Sequence, residues 1–343
     1  FPVEAHRGLA ALGCYGICVP EDLGGAGMDY VSLAVVLEEI AAGDGGTSTV
    51  ISVTNCPVNA ILMKHGNAAQ QAEWLTPLAR GDMLGAFCLT EPHVGSDASG
   101  LRTTAVRDGD HYVLNGVKQF ITSGQNGDVA IVIAVTDKAA GKRGMSAFLV
   151  PTSTPGYTVA RLEDKLGQHS SDTAQIVLTD CRIPETYRLG EEGDGYRIAL
   201  GGLEGGRIGI AAQSIGMARS ALECAIQYAK DRTSFGQPIM NHQAVGFKLA
   251  DMATQLEAAR ALTLHAAAMR DAGVPCLKEA AMAKLFASEM AEQVCSQAIQ
   301  VHGGYGYLAD FPVERIYRDV RVCQIYEGTS DVQKILIQRA LAA

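Results

Sequence analysis

Hydrophobic and polar positions change their period twice along this chain. Over residues 1–83 the spacing is helical. Residues 32–42 (SLAVVLEEIAA) carry an apolar stripe behind Ser32, a residue suited to an N-cap, and residues 70–78 continue the pattern. From about Leu84 to Gly190 the period shortens. Apolar or alternating runs predict strands at 86–89, 129–135 (VAIVIAV), 147–150 and 173–178. Asp108-Gly109 and Asn115-Gly116 bracket residues 111–114 and predict two consecutive hairpins, so the segment reads as a small antiparallel barrel or sandwich. From Asp194 the helical period returns. Val245, Leu249, Met252, Leu256 and Ala259 share one helical face, and Gly273 and Pro275 end that helix. Residues 278–301, rich in alanine and methionine, predict a helix buried in a bundle. Residues 201–216 hold six glycines, and helix propensity alone argues against a helix there.

A length of 343 residues exceeds one ordinary core and predicts two or three domains. With 48% hydrophobic and 19% charged residues the chain reads as soluble and globular, and no apolar run reaches membrane-spanning length. The net charge of −9 argues against nucleic-acid binding as the main task. It leaves room for an anionic ligand served by local arginines. Nine scattered cysteines without a C-x-x-C pair predict reduced, buried thiols in a reducing compartment. The histidines form no H-E-x-x-H, so no metal site is indicated. The chain opens on Phe1, and a trimmed or processed start is expected. Gly24-Gly25-Ala26-Gly27 suggests a phosphate loop at first sight. It lacks a following Lys-Ser/Thr and the G-x-G-x-x-G spacing, so a plain loop is expected.

Residues 300–333 (QVHGGYGYLADFPVERIYRDVRVCQIYEGTSDVQ) concentrate the candidate chemistry. Gly303, Gly304 and Gly306 form a glycine-rich turn of the kind that brings backbone N–H groups close to a ligand. An Arg/Asp run follows (Arg315, Arg318, Asp319, Arg321). Glu327 then stands between Tyr326 and Gly328-Thr329-Ser330, placed like a partly desolvated base, with helix resuming from Asp331. The plainer reading is a Schellman-type turn before an ordinary capped helix. Residues 84–100 (LGAFCLTEPHVGSDASG) run from a strand through Thr90-Glu91-Pro92 to Gly95-Ser96-Asp97. Their plainer reading is a strand, a proline turn and an Asp cap. Residues 118–123 (KQFITS) read as a strand with a polar end. Arg232-Thr233-Ser234-Phe235-Gly236 offers a guanidinium that either holds a pyrophosphate or makes a surface ion pair.

Taken together, the segments at 84–100 and 300–333 resemble the two signatures of the acyl-CoA dehydrogenase family. In the second, Gln300, Gly303-Gly304, Gly306, Tyr307, Asp310, Arg315 and Asp319 stand at the family's spacing. In the first, Val94 replaces a usually small residue. The resemblance runs from VPEDLGGAG (19–27) to the end of the chain. It implies an α+β fold in three parts: an N-terminal helical domain (1–83), a middle antiparallel β-barrel or sandwich domain (84–192) and a C-terminal four-helix bundle (193–343). It also implies that the glycine-rich residues 201–216 are helical.

The same resemblance implies FAD-dependent α,β-dehydrogenation of an acyl-CoA. Glu327 matches the base of the short- and medium-chain branch, and its backbone N–H matches an oxyanion donor. In other branches the base lies on the helix before Arg207, where this chain has Gly206. Glu204 is the rival carboxylate, and its family counterpart lies near the pantetheine arm. Matching FAD positions are Leu89, Thr90, Ser96, Phe120, Thr122, Arg232, Phe235, Gln300, Gly303, Gly304, Thr329 and Asp331. Phe120 replaces a common tryptophan and Asp331 a common glutamine. Matching substrate positions are Ser96, Glu204, Arg207, Tyr326 and Gly328. The implied partners are an acyl-CoA, electron-transfer flavoprotein and further copies of the chain in a homotetramer, a dimer of dimers in which Arg232 and Gln300-Gly303-Gly304 meet a neighbour's FAD. SVTN (52–55) and GGRIGIAAQS (205–214) resemble the short-chain and short/branched-chain branch, which implies a short acyl group. The expected compartment is a bacterial cytoplasm or a mitochondrial matrix. Two alternatives remain. One is a flavoenzyme of the same fold but other chemistry, such as a nitroalkane oxidase or a flavin monooxygenase. The other is a non-catalytic flavin-binding relative.

Overall fold

A computed structural model describes residues 1–342. Its helices in chain order are α1 (Val3–Ala11), α2 (Tyr30–Gly43), α3 (Gly45–Val53), α4 (Ala60–His65), α5 (Ala68–Gln70), α6 (Thr76–Arg80), α7 (Gly195–Asp231), α8 (Gln243–Asp271), α9 (Leu277–His302), α10 (Val313–Val320) and α11 (Ser330–Leu341). Between α6 and α7 run the strands β1 (Gly85–Cys88), β2 (Thr104–Asp108), β3 (His111–Thr122), β4 (Val129–Val135), β5 (Met145–Pro151), β6 (Tyr157–Leu162), β7 (Thr173–Pro184) and β8 (Arg188–Leu189). No helix of the described residues is long and apolar enough to cross a membrane. The nine cysteines are free, seven of them buried and Cys18 and Cys224 half-buried.

The residues group into two compact units. The first takes Phe1–Asp29, Thr49–Asp164 and His169–Gly206. Its eight-stranded sheet has the order β6-β7-β3-β2-β4-β5-β8, with β1 also on β4. Most pairs are antiparallel, but β1 and β2 each meet β4 in parallel. The run VAIVIAV is apolar throughout because β4 is covered on both faces. Val129, Ile131 and Ile133 pack with Val58, Leu62, Trp74, Leu75 and Leu78 of the helical layer. Ala130, Val132 and Ala134 pack with Tyr112, Leu114, Phe148 and Ile183 inside the sheet. A strand buried on both sides loses the alternation that marks a half-exposed one.

Two predictions for this unit change. Asp108-Gly109 turns β2 into β3, but Asn115-Gly116 makes no second hairpin. The pair forms a bulge inside β3, where the register with β7 shifts between Leu114 and Gly116. A Cβ at Gly116 would sit 2.4 Å from Thr103 Oγ1 and 2.7 Å from its Cα, so glycine here answers a close approach and not a turn. The strand at 173–178 continues to Pro184, paired to β3 along its length.

The second unit takes Tyr30–Ser48, Lys165–Gln168 and the chain from Arg207 onward. Its helix α2 starts at Tyr30, ahead of the predicted Ser32 cap. The cap is Asp271, whose carboxylate accepts from the N–H of Tyr30 at 2.8 Å and of Val31 at 3.1 Å. The glycine-rich segment is helical within α7. At Gly216 a Cβ would stand 2.1 Å from the Glu38 carbonyl oxygen, so the missing side chain is what lets α7 and α2 touch. Glu38 is itself buried, with Arg260 Nε at 3.1 Å and Arg219 Nε at 3.4 Å.

Candidate active site

In the second unit, residues 325–329 link a short 3₁₀ turn (Arg321–Gln324) to α11. Thr329 ends the link as the N-cap of α11, its hydroxyl accepting from Val332 N–H at 3.4 Å, and the helix begins at Ser330, one residue before the predicted Asp331. Asp331 stands exposed in the first turn of α11. Glu327 and Gly328 both take left-handed backbone angles, φ 54° and 89°. That turn points their carbonyls inward. Gln333 Nε2 donates to the Glu327 carbonyl at 3.3 Å and to the Gly328 carbonyl at 2.8 Å. Lys284 Nζ, from α9, donates to the Gly328 carbonyl at 2.6 Å.

The Glu327 Oε2 atom is buried and has no hydrogen-bond partner among the described residues. Burial pushes the carboxyl up to about 7, against the opposing pull of Arg207 and Lys284. Arg207 is buried on α7. Burial also pulls the Lys284 ammonium down to about 8, while Cys323 and Glu327 act the other way. Tyr326 is held by its hydroxyl, which donates to Gln213 Oε1 at 2.6 Å, and Gln213 Nε2 donates to the Gly45 carbonyl at 2.6 Å. Gln168 Nε2 adds a longer bond to the Tyr326 hydroxyl at 3.4 Å. The Arg/Asp run serves the scaffold: Arg318 pairs with Glu314, Arg321 with Glu292, and the buried Asp319 accepts from Gln168 N–H.

A second neighbourhood of the same unit is a cleft of about 510 Å³ lined by Tyr228, Arg232, Ser234, His302, Gly303, Gly304 and Tyr305, among others. Tyr228 and His302 stack at 4.4 Å, and the Arg232 guanidinium lies 5.6 Å from the centre of the Tyr305 ring. Built Cβ atoms on Gly303 and Gly304 would meet open space, so the turn presents bare backbone. Gln300 is exposed on the last turn of α9, and its carbonyl accepts from Gly303 N–H. Phe235 is 93% exposed, its ring edge-on to His242 with centroids 6.0 Å apart. Neither Tyr326 nor Glu327 lines this cleft.

In the first unit, Glu91 ties the turn after β1 to β3. Its carboxylate accepts from Arg102 N–H at 2.8 Å, Thr103 N–H at 2.9 Å and Lys118 Nζ at 2.9 Å. Burial works against the Glu91 charge, but Lys118 and these donors outweigh it and hold the carboxyl below the usual range. Lys118, wholly buried, also donates to the Leu89 carbonyl at 3.1 Å, and Gln119 N–H donates to the Thr90 carbonyl at 2.8 Å. These bonds fall where β3 bulges again, between Lys118 and Ile121. Phe120 sits in that bulge at φ 58° with 63% of its surface exposed. Thr122, half-buried, pairs with Thr173. Leu89, Thr90, Phe120 and Thr122 therefore share one neighbourhood. Ser96, exposed beside the Asp97 cap, and Glu204, half-buried on α7, take no part in these bonds.

Sequence reasoning missed Lys284, Gln333, Gln213 and the Glu91–Lys118 pair. The available signal for Lys284 was one cation inside an otherwise apolar helical run (AAMAKLFA, 280–287). No local pattern marks the other contacts: Gln213 and the Glu91–Lys118 pair meet across distant sequence, and Gln333 reaches back five and six residues to carbonyls that only the left-handed turn exposes to it.

Residues 1–82, 86–181 and 193–342 match, in turn, the N-terminal, middle and C-terminal domains of acyl-CoA dehydrogenase. The chain is 48% identical over 337 residues to the human (Homo sapiens) short-chain specific acyl-CoA dehydrogenase, mitochondrial, an alignment covering 98% of this chain and 82% of that protein. The solved butyryl-CoA dehydrogenase from Megasphaera elsdenii superimposes with a TM-score of 0.97 at 44% identity, covering 99% of this chain and 90% of that one. A chain from a structure described as the electron transferring flavoprotein of Acidaminococcus fermentans gives a TM-score of 0.97 at 45% identity, covering 98% of this chain and 89% of that one. The chain belongs to the acyl-CoA dehydrogenase family of FAD-dependent oxidoreductases.

Proposed function

We propose that this enzyme removes two hydrogens from the α and β carbons of a short acyl-CoA, giving the trans-2-enoyl thioester, with Glu327 as the base. The observation that carries this reading is the Glu327 carboxylate, whose buried Oε2 lacks a partner among the described residues and whose carboxyl is pushed up to about 7. A carboxylate titrating near neutrality is ionised in large part at physiological pH and still takes a weakly acidic proton. Glu327 accepts the α proton, and its backbone N–H serves as one donor to the thioester oxygen as enolate character develops. Bound FAD supplies the acceptor for the hydride that leaves the β carbon.

The side chains present fit that cofactor. The exposed Phe120 ring, with the Thr90 and Thr122 hydroxyls and the Leu89 backbone, suits a flat ring system with a polar edge. Arg232, beside the bare Gly303-Gly304 turn, suits a pyrophosphate. In this reading Gln300, Phe235, Thr329 and Asp331 complete the FAD contacts, and Ser96 serves FAD or the CoA arm. Glu204, Arg207, Tyr326 and Gly328 serve the substrate. Arg232 and the glycine turn act on the FAD of a neighbouring copy in a homotetramer, and electrons leave to electron-transfer flavoprotein. The relatives' names support the acyl-CoA and the flavoprotein partner. The three-part division at residues 83/84 and 192/193, and a bacterial cytoplasm or a mitochondrial matrix as compartment, belong to the same proposal.

The test is anaerobic mixing of the FAD-loaded enzyme with butyryl-, hexanoyl-, octanoyl-, lauroyl-, palmitoyl-, isobutyryl- and isovaleryl-CoA. Flavin absorbance is expected to bleach fastest, and kcat/KM to peak, with the butyryl, hexanoyl or short branched thioesters. Each added methylene contributes only about 0.8 kcal/mol until it clashes, and a clash costs roughly 1–3 kcal/mol. A peak at lauroyl or longer overturns the short-chain assignment. No bleaching by any thioester overturns the reaction.

A further inference from the structure

Lys284 is wholly buried on α9, a helix whose other buried residues include Ala280, Ala281, Ala283 and Ala287. A buried ammonium costs several kcal/mol unless something repays it, and an alanine or methionine would pack on this face without that cost. Lys284 donates a hydrogen bond to the Gly328 carbonyl, at 2.6 Å. Its charged and titratable neighbours are Glu327 and Cys323 from the chain leading into α11, Arg207 from α7 and Glu289 from α9 itself. The residue before Gly328 is Glu327, a non-glycine residue at φ 54°. Such a conformation costs on the order of 1 kcal/mol or more and persists only where neighbours hold it. Gln333 supplies one hold and Lys284 the other.

We propose that Lys284 is the positioning residue for proton abstraction: seated on the Gly328 carbonyl, it locks the left-handed turn that aims the Glu327 carboxylate and sets a positive charge beside it. The proposal rests on the reading of Glu327 as base. It assigns Lys284 no contact with substrate. The bond fixes direction, and the charge favours the ionised carboxylate in a setting where burial works against it.

The test compares Lys284→Met, Lys284→Gln and Lys284→Arg in the FAD-loaded enzyme. Lys284→Met removes bond and charge. It is expected to lower kcat by roughly ten- to hundredfold, the scale of a misplaced catalytic group, with KM changed less than about threefold. The acid limb of the kcat/KM profile should move to higher pH, and the isotope effect with α-deuterated butyryl-CoA should grow. Lys284→Gln keeps a donor for the carbonyl but no charge, so it should regain part of kcat with the limb still displaced. It also serves if the methionine variant fails to fold. Lys284→Arg restores the charge and should return the limb toward its original place. A titration independent of turnover follows the infrared carboxyl band that Glu327→Gln abolishes, and the midpoint of that band should rise in Lys284→Gln. An unmoved limb, isotope effect and midpoint in folded, FAD-loaded variants overturn the role of Lys284. Retention of turnover by Glu327→Gln overturns the base itself, so the two failures are distinguishable.

Discussion

Glu327 gathers three costs in one residue: a left-handed backbone, a buried oxygen without a donor and a carboxyl pushed up to about 7. A purely structural position would shed all three with one substitution. Glu327→Gln is therefore expected to keep FAD and ligand binding while losing turnover by roughly 10²–10⁴ or more, measured by steady-state kinetics. Glu204→Gln should retain most turnover, and the reverse result would move the base to Glu204. The stability effect has the opposite sign. The folded carboxyl titrates near 7 against an ordinary value of 4.5, so its contribution to stability is full below about 4.5 and is lost as pH rises through about 7. Glu327→Gln should thus raise the melting temperature near pH 8, by up to about 3 kcal/mol of stability, and change it little near pH 4. Replacing a charge that Arg207 and Lys284 partly balance makes that figure an upper bound.

At the scale of elements, α7 shows how the same residue type does opposite things along one helix. Gly216 faces the Glu38 carbonyl at a built Cβ distance of 2.1 Å, whereas a Cβ at Gly201 meets nothing within 4 Å. Gly216→Ala should push α7 and α2 apart and destabilise by roughly 1–3 kcal/mol. Gly201→Ala should be neutral or stabilise by up to about 1 kcal/mol, since only helix propensity changes. Paired denaturant melts decide, and equal effects would mean the close approach carries no energy. The six glycines repel a helix assignment because propensity counts residues and does not see the facing carbonyl. The same blindness explains other misses. Ser32 resembles a cap, but the donors at Tyr30 and Val31 are served by Asp271, some 240 residues away. Asn115-Gly116 has turn chemistry, but Thr103 decides that it becomes a bulge. What periodicity does carry is the burial of one face, as in α8, or a continuous apolar run, as in β4. Glu327 was legible through its motif as the candidate base. Its supports, Lys284 and Gln333, were not, because each is one polar residue on a helix and its partner lies in a loop.

At the scale of the whole chain, a net charge of −9 coexists with a proposed site for an anionic cofactor, so binding rests on a few local cations. Arg232 is the exposed one, in its cleft beside Tyr305. If it serves a neighbouring copy, Arg232→Ala should lower flavin content and weaken the oligomer together. The scale is about 1.5–3 kcal/mol, a tenfold or greater loss of affinity. Flavin-to-protein ratio and sedimentation measure the two, and full flavin content at native size would refute the shared site. The doubly covered strand β4 has a further effect. Its odd positions, Val129, Ile131 and Ile133, are bulky and face the helical layer, while its even positions, Ala130, Val132 and Ala134, are mostly small and face Tyr112 and Phe148. A slip of one residue would drive isoleucines into space the aromatic rings already fill and leave voids against the helices. Such a slip incurs overpacking and cavity costs together. The uninterrupted apolar run thus works as a keyed tongue that fits its groove in one alignment only.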